Sequence, residues 1–148
     1  MRVLVTLCVG ARHITISSVG VAPRIRQLAD EDLQVNLAVS LHEASDAKRS
    51  ALLPVNNKYP ISELLDACRY YVTRTRRRIS FEWALIEHST DSIETAHELA
   101  DLLQGLLCHV NVIPLNPTKG FSGGPSSRVR VNAFVSALVR VTDIACDL

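Results

Sequence analysis

The stretch Val35-Asn36-Leu37-Ala38-Val39-Ser40-Leu41-His42 decides how this chain is read. Side chains alternate along a strand, so Val35, Leu37, Val39 and Leu41 share one face and Asn36, Ala38, Ser40 and His42 the other. A strand buried on both faces of a parallel sheet is normally apolar throughout. Here one face is apolar and the other is small and polar. That polar face borders either bulk water or a polar cavity.

The same parity recurs outward from this strand. His13, Thr15 and Ser17 oppose Ile14 and Ile16; Ser80, Glu82 and Ala84 oppose Ile79, Phe81, Trp83 and Leu85. His109, Asn111 and Ile113 oppose Val110, Val112 and Pro114. The expected strands are therefore His13 to Ser17, Val35 to His42, Ile79 to Ile86 and His109 to Leu115.

Helices are expected between them. One runs from Pro23 to Ala29, with proline in its first turn. Another runs from Pro60 to Arg74, where Ile61, Leu64, Leu65, Cys68, Tyr71 and Val72 recur at helical steps. A third runs from Ser92 to Leu107, capped by Ser92, with Ile93, Ala96, Ala100, Leu103 and Leu107 as its stripe. A last one, Ser127 to Val139, presents Val131, Phe134, Val135 and Leu138. Between Glu43 and Tyr59 the chain reads as irregular, with a helical turn near Ala47 to Leu52.

Strands alternating with helices imply an α/β fold with a parallel sheet, whose ligands sit at the C-terminal strand ends. The apolar parity can pack under the helices, leaving the polar parity toward the inside of a curved sheet; the alternative is an open sheet with helices on one side and solvent on the other. Burying a carboxylate such as Glu82 without partners is costly, so a wet, ligand-holding interior suits it better than a dry one.

Composition sets the outer bounds. The 148 residues suit a single domain, and 47% hydrophobic with 21% charged residues reads as a soluble globular chain. Sixteen basic against 15 acidic residues exert no global pull toward nucleic acid or acidic membrane. Cys8, Cys68, Cys108 and Cys146 are too scattered for a local metal finger, so Cys68 and Cys108 read as buried thiols of a cytoplasmic protein. The opening Met1 to Ala11 imitates a secretion signal, but its apolar run is at the short limit and Arg12 leads straight into a strand.

Four ordered strings then carry a resemblance. Gly10 to Pro23 (GARHITISSVGVAP), Asn36 to His42 (NLAVSLH), Pro54 to Pro60 (PVNNKYP) and Cys108 to Pro117 (CHVNVIPLNP) resemble the RlmN/Cfr class of radical-SAM RNA methyltransferases, RlmN being the nearer member. The match runs in order from about Gly10 to Arg140. It implies a partial (βα) barrel holding S-adenosylmethionine and a [4Fe-4S] cluster, and methylation of adenine C2 in 23S ribosomal RNA and transfer RNA.

By the same resemblance, Ser17, the segment Ser40-Leu41-His42 and Asn116 stand where the family contacts S-adenosylmethionine. Taken singly, each has a plainer reading. Ser17 and Ser40 fit as small barrel-lining residues, His42 as a strand cap, and Asn116 as a turn residue before Pro117. Their convergence on strand ends points to a site. Asp143-Ile144-Ala145-Cys146 resembles the family's ending with a deletion, which makes Cys146 the counterpart of the methyl-carrying cysteine.

The family's Cys-x-x-x-Cys-x-x-Cys cluster motif does not occur in this sequence. Also missing are the family's early strands, its N-terminal RNA-binding domain and its catalytic glutamate. The expectation is a truncated chain, Met1 to Val9 being a shifted start, that is inactive unless an N-terminal half is supplied. Two rivals stand beside it: a non-catalytic module for adenosyl compounds, and a non-functional gene fragment. Arg74, Arg76, Arg77 and Arg78 read either as RNA-phosphate contacts or as a solvated helix end.

Overall fold

The computed structural model describes residues 10–116, 123–141 and 145–147. The supposed shifted start, residues 1–9, lies outside them, as do residues 117–122, 142–144 and 148.

Five parallel strands stand side by side in chain order: β1 (Thr15–Ser18), β2 (Asn36–Ser40), β3 (Ile79–Leu85), β4 (Cys108–Pro114) and β5 (Ala145–Asp147). Helix α1 (Ala22–Asp30) links β1 to β2, and α2 (Asp46–Leu52) with α3 (Ile61–Thr75) links β2 to β3. Helix α4 (Ile93–Leu103) and helix α5 (Arg128–Val141) make the last two connections. The four expected strands are all present. The fifth escaped notice because three residues carry too little periodicity to read.

The apolar parity forms the core. Leu37, Val39, Ile79, Phe81, Trp83, Leu85, Val110 and Val112 are buried together with Ile25, Leu64, Cys68, Leu99, Leu103 and Phe134. Trp83 stacks on Phe134 with ring centroids 6.0 Å apart, and its indole N–H donates to the Thr90 carbonyl at 3.1 Å. Burying one such side chain stabilises by about 1.5–3 kcal/mol. A one-residue slip would expose the whole row and bury Glu82 instead, so the pattern also fixes the register.

The helices follow the expected stripes with one correction. In α3, Ile61, Leu64, Leu65, Cys68 and Tyr71 are buried as expected. Ser92 caps α4, accepting from the Thr95 N–H at 3.1 Å. But α4 stops at Leu103, not at Leu107, and Gly105 follows with φ of +72°. Ile93 and Leu107 are about half exposed, and the buried stripe is Ala96, Leu99, Ala100 and Leu103.

A second correction concerns the polar parity. Thr15, Ser17 and Ile113 are exposed, and Asn36, Ser40, Ser80, Glu82, Ala84 and Asn111 are half-buried. Only Ala38 and His109 on that face are buried. The described residues leave this face open rather than closing it into a barrel interior, because five strands span only part of the roughly eight that close a (βα) barrel.

Candidate functional site

The polar faces of the strands align in rows. Ser17 stands beside Ala38, which stands beside Ser80 and then His109. One step nearer the C-terminal strand ends, Ser40 stands beside Glu82, and Glu82 beside Asn111. The Asn111 amide donates to Glu82 Oε2 at 2.8 Å, so the carboxylate has a partner within its row. The face is thus a strip of hydroxyl, amide and carboxylate groups with little bulk.

The end of β2 is held in a strained turn. The Glu43 N–H donates to the Leu41 carbonyl at 2.8 Å, closing a three-residue turn around His42, whose φ is +60°. Such a conformation is unfavourable for a side chain with a Cβ and persists only where the surroundings hold it. Two contacts do so. The Ala84 N–H donates to His42 Nδ1 at 3.0 Å, and the Leu41 N–H donates to the Glu82 carbonyl at 3.2 Å. With Nδ1 accepting, the neutral imidazole carries its proton on Nε2 and offers one N–H donor. Burial, then the nearby Arg49 charge, lowers the His42 pKa below its usual value and favours that neutral form.

Arg49 is the hub beneath this turn. It is fully buried, and its guanidinium donates to the carbonyls of Leu41 (3.2 Å), Ser40 (3.0 Å) and Val19 (2.9 Å) and to Asn56 Oδ1 (2.8 Å). One side chain therefore clamps the chain just past β1 to the end of β2. Asn56 is fixed in turn by Asp46 and Ser50, each at 2.9 Å, and Asp46 also accepts from the Ile61 N–H at 2.8 Å. Gly20 passes over Arg49 with φ of +102°, and a Cβ there would lie 2.9 Å from Arg49 Nη2.

The structure places the sequence-predicted residues as follows. Ser17 lies exposed on β1, Ser40 ends β2, and His42 is half-buried just beyond it. Leu41 is fully buried in the core, so only its backbone faces the turn. Asn116 is exposed past β4, where the Leu115 N–H to Leu85 carbonyl bond (3.0 Å) extends the β3–β4 pairing to its doorstep. All but Cys146 thus gather at C-terminal strand ends, where parallel sheets bind ligands. Cys146 stands in β5, in register with Val110.

Sequence reasoning missed Arg49. A charged residue in a short helix carries no pattern that separates a buried clamp from a solvated surface group. The one available signal was the string Pro54-Val55-Asn56, whose asparagine is its partner.

An iron–sulfur cluster does not fit the described residues, among which no group of three or more metal-ligating side chains occurs. Cys68 and Cys108 are buried on the helix side, where burial pushes their thiols up to about 12 and about 11, far from the thiolate a cluster needs. Among the described residues, no helix is long and apolar enough to cross a membrane.

No family model matches the chain. It is 55% identical over 132 residues to the dual-specificity RNA methyltransferase RlmN 1 of Myxococcus xanthus, covering 89% of this chain and 37% of that protein. It is 49% identical over 142 residues to a probable dual-specificity RNA methyltransferase RlmN of Caldanaerobacter subterraneus, covering 96% and 41%. A crystal structure of a radical SAM methyltransferase from Sphaerobacter thermophilus superposes with a TM-score of 0.91 at 51% identity, over 93% of this chain and 40% of that one. The chain spans about two fifths of the length of these proteins. Over nearly its whole length it therefore matches one segment of the RlmN-type radical-SAM methyltransferases.

Proposed function

We propose that this chain forms the adenosyl-binding wall of an RlmN-type RNA methyltransferase acting on adenine C2 of ribosomal and transfer RNA in the cytoplasm. The observation that carries this reading is the clamp of Arg49 on Val19, Ser40 and Leu41, which fixes two strand ends beside a strained His42. When bound, S-adenosylmethionine supplies the methyl group. The Ser17 and Ser40 hydroxyls, the His42 Nε2–H and the Asn116 amide offer the hydrogen bonds that would hold its polar groups. Arg49 is a positioning residue, since all its bonds are to the chain itself.

We assign the described residues no part in holding the cluster, since no group of three or more metal-ligating side chains occurs among them. Cys146 is the proposed methyl carrier by its place in the ending it resembles.

The reading is tested by grafting residues 10–140 into the matching region of the Myxococcus xanthus relative. Production of 2-methyladenosine in RNA is then measured in a strain lacking its own enzyme. The graft should restore methylation, and Ser40→Val or His42→Leu within it should abolish it. A folded graft that restores nothing, or variants that methylate as well as the unaltered graft, would overturn the assignment.

A further inference from the structure

We propose that a phosphate group binds at the opposite end of the sheet, in a cavity lined by Arg76, Arg78, Thr15 and Ser80. The cavity, of about 410 Å³, is lined by these four residues with Asn36 and Arg77. It contains no carboxylate. It lies at the N-terminal strand ends: Asn36 begins β2 and Ser40 ends it, about 13 Å apart at the rise of a strand. The inference is thus independent of the adenosyl reading.

The arginines divide by task. Arg77 belongs to the fold, donating to the Val35 carbonyl at 3.0 Å and to Asn36 Oδ1 at 2.6 Å. The Asn36 amide in turn donates to the Arg12 carbonyl at 2.9 Å, so the cavity floor is rigidly oriented. Arg76 sits at the left-handed C-cap of α3, with φ of +58°. The side chains of Arg76 and Arg78 make no hydrogen bond or ion pair among the described residues, and neither do the Thr15 and Ser80 hydroxyls.

A neighbouring concavity shows the contrast. It is lined by Arg74 together with Asp30 and Asp32, and Arg74 is already paired with Asp30 at 3.3 Å. There the positive charge is neutralised from within. In the Arg76–Arg78 cavity it is not, although the chain as a whole is nearly balanced at +1. Two guanidiniums and two hydroxyls offer the donors that a phosphate's oxygens accept.

The phosphate could belong to an RNA backbone or to a small phosphorylated molecule, and the experiment separates the two. The full chain is titrated with inorganic phosphate, followed by the amide resonances of Thr15 and Ser80, and with a short fluorescent single-stranded oligoribonucleotide, followed by anisotropy. Both resonances should shift with phosphate. If RNA is the source, the oligoribonucleotide will compete with phosphate. The Arg76→Gln/Arg78→Gln double variant will then bind it at least tenfold more weakly, with a log–log salt slope shallower by roughly 1.4. If only phosphate binds, and the double variant loses it, the ligand is a small phosphorylated molecule. Arg69→Gln, whose partner is Asp66 on the exposed face of α3, should change neither. The proposal fails if neither probe binds the wild-type chain, or if the folded double variant binds as the wild type does.

Discussion

The Ala84 N–H donates to His42 Nδ1 at 3.0 Å, tying the strained end of β2 to β3. The bond requires a neutral imidazole with Nδ1 unprotonated. The folded chain therefore takes up the His42 proton less readily than the unfolded chain does. Linkage fixes the sign: the stability His42 contributes is fully present above its unfolded pKa of about 6.5 and is lost as pH falls toward its lower folded value. Wild-type stability should fall relative to His42→Gln below about pH 6.5, by at most about 1.4 kcal/mol per pH unit. Urea unfolding of both chains between pH 5 and 8 measures this; parallel curves would refute it.

Arg49 should be the most sensitive polar position. Replacing it by alanine strands the Val19, Ser40 and Leu41 carbonyls and Asn56 in a buried place. A loss of about 3–5 kcal/mol is expected. Lysine should not rescue it, because a single ammonium cannot fork to groups on three segments. Chemical denaturation of the two variants gives the answer directly.

At Gly20 the prediction concerns backbone and space together. Alanine would be strained at φ of +102°, and its Cβ would meet Arg49 Nη2 at 2.9 Å and Leu64 Cδ2 at 3.1 Å. Gly20→Ala should destabilise by about 1–3 kcal/mol, beyond the ordinary Gly-to-Ala effect. A thermal scan showing an unchanged or raised midpoint would contradict the clamp geometry.

How much of this was legible follows from what leaves a period in the sequence. The alternation in Val35 to His42 marked the polar face, since burial acts on every second residue, and the succession of strands and helices marked the parallel sheet. The strand-end location of Ser17, Ser40, His42 and Asn116 followed from the topology. The strained turn at His42 and the Arg49 clamp leave no period. They rest on contacts between residues distant in the chain, such as Arg49 with Val19 and His42 with Ala84. The openness of the polar face also depends on how many strands are present, which no single strand records.

The buried thiols make a further prediction. Cys68 and Cys108, with pKa values pushed up to about 12 and about 11, should resist iodoacetamide at neutral pH in the folded chain and react on denaturation. Peptide mass mapping distinguishes them from Cys8 and Cys146. Rapid native labelling of Cys68 would show that the core opposite the polar face is not closed.

The strand ends of β1, β2 and β4 are proposed to form an adenosyl-binding wall. Calorimetric titration of the full chain with S-adenosylmethionine tests it most directly, alongside Ser40→Val. Submillimolar binding by the wild type is expected, weakened at least tenfold in a Ser40→Val variant of unchanged fold. No binding by the folded wild type, or equal affinity in both chains, would contradict it.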